Sequence, residues 1–105
     1  MIARLWRGWT PLANADAYEQ LLRNEILPGI VRRGMAGFRR IDLLRRDGAS
    51  ESEFLTIMWF ESLDAVRAFA GSDYEVAVIP PTARALLSRF DARSLHYTAV
   101  DHREP

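Results

Sequence analysis

The sequence predicts one α+β domain in which two helices pack on one face of a small antiparallel sheet. Three observations carry this. Glu53 to Gly71, EFLTIMWFESLDAVRAFAG, passes from an apolar run rich in β-branched and aromatic residues into an amphipathic helix. The N-terminal third repeats that order, an alternating strand followed by a helical stripe. Between the two units, Asp47-Gly48-Ala49-Ser50-Glu51-Ser52 has the turn chemistry of a hairpin joining two strands.

Ile2 to Thr10 alternates, placing Ala3, Leu5, Arg7 and Trp9 on one strand face and Ile2, Arg4 and Trp6 on the other. Pro11 ends that strand, and Thr10 or Asn14 can cap the next element. Tyr18, Leu21, Leu22, Glu25 and Ile26 trace the first helix. Pro28 lacks an amide proton and disfavours helical dihedrals at Leu27, so a kink or restart is expected there, with a final turn closed by Gly34. Gly37 to Asp47 is the next strand. Its pairs Arg39-Arg40 and Arg45-Arg46 send one guanidinium to each face, which suits an edge strand. Phe54 to Phe60 reads as a central strand covered on both faces.

The second helix starts at Ser62, whose hydroxyl can accept from an orphan first-turn amide. Asp64 lies near the positive end of the dipole and Gly71 closes the helix. Leu63, Val66, Phe69 and Ala70 share its buried face. Ser72-Asp73-Tyr74 reads as a fresh helix start interrupted by Pro80-Pro81. Thr82 to Phe90 reads as a short helix with Ala85, Leu86, Arg89 and Phe90 as its stripe, and Asp91 to Val100 as the last strand. The order is β-α-β-β-α-β with an extra short helix before the last strand, the ferredoxin-like split arrangement. Residues 1–100 form the domain and 101–105 a polar tail.

Composition narrows the chemistry. A chain of 105 residues can sustain one core, removing roughly 60 to 70% of its extended surface from water. It has no cysteine, which excludes disulfides, thiolate catalysis and cysteine metal sites. All 14 basic residues are arginine, so Schiff-base chemistry is excluded too. Fourteen acidic residues bring the net charge to zero, leaving no field for nucleic acid or an anionic membrane. No segment has a transmembrane pattern, and Arg4 and Arg7 interrupt any signal-like run, so a cytoplasmic protein is expected.

Two helices cover only one face of a four-stranded sheet, yet apolar residues occupy both. A homodimer joined sheet to sheet is therefore expected. Stacked bases on Trp6 and Trp59 are the alternative cover, opposed by the neutral charge and by a third strand without the RNA-binding octamer pattern.

L-P-G-I with the later Gly37-Phe38, the strand T-I-M-W-F-E-S and the segment A-F-A-G-S-D-Y together resemble the antibiotic biosynthesis monooxygenase family of dimeric α+β barrels, over nearly the whole chain. The resemblance implies the ferredoxin-like fold and a homodimer. It leaves three functions open: a cofactor-independent oxygenase of aromatic or polyketide-like molecules, a non-catalytic small-molecule binder, or a haem-handling protein. The haem-degrading branch has an Asn, a Trp and a ligating His, which align here with Trp6, Phe69 and Ile79. That pattern is absent.

For the oxygenase, no cofactor or metal is expected. The resemblance implies an apolar pocket with a base and groups that stabilise negative charge. His96, the one strand histidine, is the expected base, and Tyr74 and Trp59 complete the expected catalytic set. Trp6, Phe60, Phe69, Arg84 and Tyr97 are the expected substrate contacts, with Arg84 favouring a phenolate and Tyr97 donating to oxygen. Ser72 to Pro81, the least regular segment, is the candidate lid.

Overall fold

The computed structural model describes all 105 residues. Its central strand, β1 (Ile2–Pro11), runs antiparallel to β3 (Glu51–Phe60) along its whole length, from Ile2 opposite Phe60 to Pro11 opposite Glu51. On the far side of β3 lies β2 (Phe38–Asp47), an edge strand as its paired arginines suggested, with a bulge between Phe38 and Arg40. Arg45 turns to Asp16 and Glu19 on the helix side, while Arg46 bonds Glu53 on the opposite face.

The helix after β1 is one continuous run: α1 (Ala15–Leu21), a π-helical turn (Leu22–Ile26) and α2 (Leu27–Arg32). The expected break at Pro28 is absorbed by that wide turn. The Leu27 amide donates to the Leu22 carbonyl five residues back, which shifts the ladder just ahead of the proline that cannot continue it. After β3, α3 (Leu63–Ala70) is capped as the sequence indicates. The Ser62 hydroxyl accepts from the Ala65 amide at 3.2 Å, and Gly71 leaves the helix at φ +94°.

The C-terminal third departs from expectation in two places. The segment Ser72 to Pro80 contains no helix, and the predicted helix from Thr82 to Phe90 shrinks to α4 (Pro81–Arg84). Arg89 and Phe90 form instead a two-residue strand, β4, opposite Trp9 and Gly8. The predicted last strand is thereby divided. β5 (Leu95–Thr98) resumes pairing with β1, but between the two the chain turns to residues 75–77, where Ala77 donates to Ala92, Ser94 donates to Glu75, and Val76 bridges Arg93. The connection thus wins backbone bonds that a straight strand would have given to β1.

The sheet order β2-β3-β1-β4, with β5 also on β1, is ferredoxin-like, with the helices on one face. Two apolar clusters fill that interface. Tyr18, Leu22 and Ala83 surround Phe54, and Met58 and Phe60 pack on Ala65 and Val66. The opposite sheet face carries no helix. Leu95, Tyr97 and Leu44 are about half exposed there, beside Leu55, Ile57 and Trp59. β3 is therefore central in the sheet but covered by this chain on one face only, a correction to the expectation of two covered faces.

Candidate functional site

Between helix layer and sheet lies a partly open cavity of ≈ 60 Å³, lined mostly by apolar side chains. β1 contributes Arg4 and Trp6 to it, β3 contributes Thr56 and Met58, and the helices supply Tyr18, Leu22, Ile26 and Phe69. Val78, Ile79, Pro80 and Ser94 complete the lining from the C-terminal third. Pockets for drug-sized ligands run to about 300–1,000 Å³. A polycyclic molecule does not fit the cavity at this volume.

Arg4 is the one charged residue lining this cavity, and it is 3% exposed. Its guanidinium donates to the carbonyls of Tyr74 and Val76 (3.1 Å for the latter), so it fastens the connection to the sheet. The same Nη1 lies 3.1 Å from His96 Nε2, and the Phe69 ring faces the guanidinium carbon at 5.6 Å. No carboxylate offsets the charge, and burial lowers the pKa to about 10.

Because arginine can only donate, His96 Nε2 accepts and the ring is neutral with its proton on Nδ1. Burial, reinforced by the Arg4 charge, holds the His96 pKa below its ordinary value. Nδ1 approaches the Ser94 backbone without forming a hydrogen bond of normal geometry. Tyr74 meets His96 edge-on, with ring centroids 5.0 Å apart.

Trp6 owes its position to a missing side chain. A Cβ at Gly8 would come within 2.7 Å of the Trp6 ring and 2.9 Å of Leu87, while the indole NH donates to the Asp91 carbonyl at 2.8 Å. Phe60 lies below Phe69, with centroids 6.0 Å apart, and is part of the core rather than of the cavity wall.

The residues expected to share one pocket thus fall into three places. Trp6 and Phe69 line the cavity, with His96 and Tyr74 behind Arg4 and Phe60 beneath. Trp59 and Tyr97 lie on the opposite sheet face, since β3 register pairs Ala3 with Trp59 and β5 register pairs Ala3 with Tyr97. The Trp59 NH bonds Asp42 at 3.2 Å, Arg40 stacks on its ring, and the hollow beside it is bounded by Met1, Ala99 and the tail rather than by the helices. Arg84 is exposed on α4 against Phe90 and does not line the cavity, whose one charged lining residue is Arg4.

Arg4, Tyr18 and Ser94 were not anticipated. Burial raises the pKa of the Tyr18 phenol and keeps it a neutral donor. Arg4 had a sequence signal, a charge between Ile2 and Trp6 on an apolar strand face. Tyr18 read only as a core position, and Ser94 gave no signal because a serine beside a strand is ordinary.

No family profile matches the chain, and no curated protein matches it in sequence. Two solved structures match it in shape. A candidate antibiotic biosynthesis monooxygenase from Bacillus cereus superimposes with a TM-score of 0.69 at 12% identity, over 99% of this chain and 97% of that one. Rv0793 from Mycobacterium tuberculosis gives 0.61 at 19% identity, over 98% of both chains. The chain therefore has the ferredoxin-like α+β fold of these two proteins, over its full length.

Proposed function

We propose that the chain belongs to the antibiotic biosynthesis monooxygenase family and is a cofactor-independent monooxygenase acting on an aromatic or polyketide-like molecule in the cavity between sheet and helices. The observation that carries this reading is an apolar cavity between sheet and helices with one buried cation at its wall and a neutral histidine behind that cation. An ionised phenol or enol gives an electron to dioxygen and recombines with the superoxide formed. One oxygen atom stays on carbon and the other leaves as water, and every electron comes from the substrate. A dry, apolar enclosure favours these steps because the substrate anion is held by fixed groups rather than by solvent.

In this role His96 takes the substrate proton once Arg4 releases Nε2, and Arg4 turns to the developing anion. Tyr18 donates to a substrate oxygen, and Trp6 and Phe69 hold the flat body of the molecule. The protein acts as a cytoplasmic homodimer joined through the uncovered sheet face; no helix is long and apolar enough to cross a membrane. Haem handling has less support, because the His96 lone pair is engaged by a guanidinium that would repel a cationic iron centre. A non-catalytic binder of the same fold is supported by that engagement too, since it leaves no base free in the closed state.

Oxygen uptake by the purified protein, metal-free, is measured with hydroquinones and anthrones, alongside a haem titration. Saturable uptake that is lost on unfolding and reduced by His96→Gln supports the oxygenase. Ligand-dependent stabilisation with no uptake assigns the fold to a binder. A Soret band that moves on mutating His96 restores the haem reading.

A further inference from the structure

Arg4 is a buried cation whose protein partners are all neutral. Of its five N–H groups, two on Nη1 face the Tyr74 carbonyl and His96 Nε2, and one on Nη2 faces the Val76 carbonyl. The Nε–H and the second Nη2–H have no hydrogen-bond partner in the chain, and Nε is not among the buried atoms left unpaired, so it keeps some access to solvent. No acidic side chain lines the cavity. A second, independent polar residue belongs to the lining of the same cavity: Ser94, 2% exposed, whose buried hydroxyl has no hydrogen-bond partner. Buried charges and hydroxyls are ordinarily paired. Here Arg4, with donor sites left free, and Ser94, with its hydroxyl unpaired, both belong to the lining of one apolar space, which is the complement of an organic anion with its charge at one end.

We infer that Arg4 and Ser94 form an oxyanion seat and that the ligand of this cavity is an aromatic or enolic anion, its charged oxygen against the guanidinium edge and the Ser94 hydroxyl donating to it. The inference deepens the function proposed above and rests on its placing of the ligand in this cavity. It is separable from the oxidation itself, because the seat sets charge preference whether or not oxygen is consumed. Arg4 also fastens Tyr74 and Val76, so an anion reaches the seat as the connection from Ser72 to Pro80 swings outward, and neutralises a charge that the closed state leaves unpaired.

Benzoate and its uncharged analogue benzyl alcohol are the probes. Binding is followed by titration of the full chain at constant ionic strength, observing the arginine Nε–H signals in ¹H–¹⁵N spectra. A hydrogen bond between charged partners predicts benzoate to bind about ten-fold or more tightly than benzyl alcohol, and the Arg4 Nε–H signal to move. Arg4→Gln is expected to bring the two probes to about the same affinity, Ser94→Ala to weaken benzoate several-fold, and Arg84→Gln, at an exposed site, to change neither. Equal binding of the two probes, absence of binding by both, or a benzoate preference that survives Arg4→Gln overturns the seat. If Arg4→Gln does not fold, the Arg4 signal in the wild type and the Ser94→Ala titration decide: a stationary signal with unchanged Ser94→Ala affinity overturns it. Benzoate preference without oxygen uptake on any phenol keeps the seat and removes the oxygenase.

Discussion

The two faces of β3 are built from adjacent residues and have opposite fates. Phe54, Met58 and Phe60 point to the helices and are at most 5% exposed, whereas Leu55, Ile57 and Trp59 point away and stay partly open. Both sets are apolar, so hydrophobicity does not decide which face is covered. Chain connectivity decides it, because each strand-helix-strand crossover places its helix on the same side of a right-twisted sheet. The covered face also holds buried polar residues, with Arg4 and His96 paired beside Phe69. The open face pairs its charges at the surface, as in Arg7 with Asp91 and Arg46 with Glu53.

The sharpest way to break this comparison is to truncate one residue on each face. Phe60→Ala leaves a void in a fully buried cluster and is expected to cost about 3–5 kcal/mol in chemical denaturation. Trp59→Ala at high dilution is expected to cost clearly less, since this chain alone does not enclose that ring. Equal losses in dilute protein would mean that the outer face is structural in the monomer. Next in size is the cap that starts the covering helix: Ser62→Ala removes the acceptor of the Ala65 amide and should cost about 1 kcal/mol, with hydrogen exchange accelerated first in the first turn of α3.

Leu95→Glu, at a half-exposed position on the uncovered face, is expected to change the stability of the separate subunit by no more than about 0.5 kcal/mol. Its visible effect is on association. Sedimentation should register a dimer in the wild type and a monomer in Leu95→Glu, because a carboxylate would be desolvated at the centre of a sheet-to-sheet contact. Identical masses for the two proteins would move the contact elsewhere.

Local rules sufficed where local chemistry determines the result. Ser62, Gly71 and the Asp47 to Ser52 turn announced α3 and the hairpin, and the paired arginines of β2 announced an edge. The C-terminal third resisted because its geometry is fixed at a distance. Arg89 and Phe90 become strand by pairing with Trp9 and Gly8, and residues 92–94 leave the sheet for backbone partners at 75 and 77. The candidate site was half legible for the same reason. Alternation put Trp6 and Arg4 on one face and Trp59 on another, but only register brought His96 opposite Arg4 and set Tyr97 on the outer face, and Arg84 is exposed at the end of the short α4.

The smallest expected effect tests the electrostatics of the covered face. His96 has its folded pKa depressed, first by burial and then by Arg4, from an unfolded value near 6.5. Above that pH neither state binds the proton, so the group adds no pH dependence. As pH falls below it, the unfolded chain takes up a proton that the folded chain refuses, and stability declines until folded His96 is itself protonated. His96→Gln keeps a side-chain acceptor for Arg4 while removing the titration, so its denaturation midpoint should be flatter just below pH 6.5. The carboxylates Asp47 and Glu51, whose pKa values are lowered chiefly by Arg45 and by Ser88, lose their contribution only in the more acidic range, so the two effects separate along the pH axis. A wild-type slope that persists unchanged in His96→Gln would mean that the proton is taken up elsewhere and that Arg4 does not set the state of this histidine.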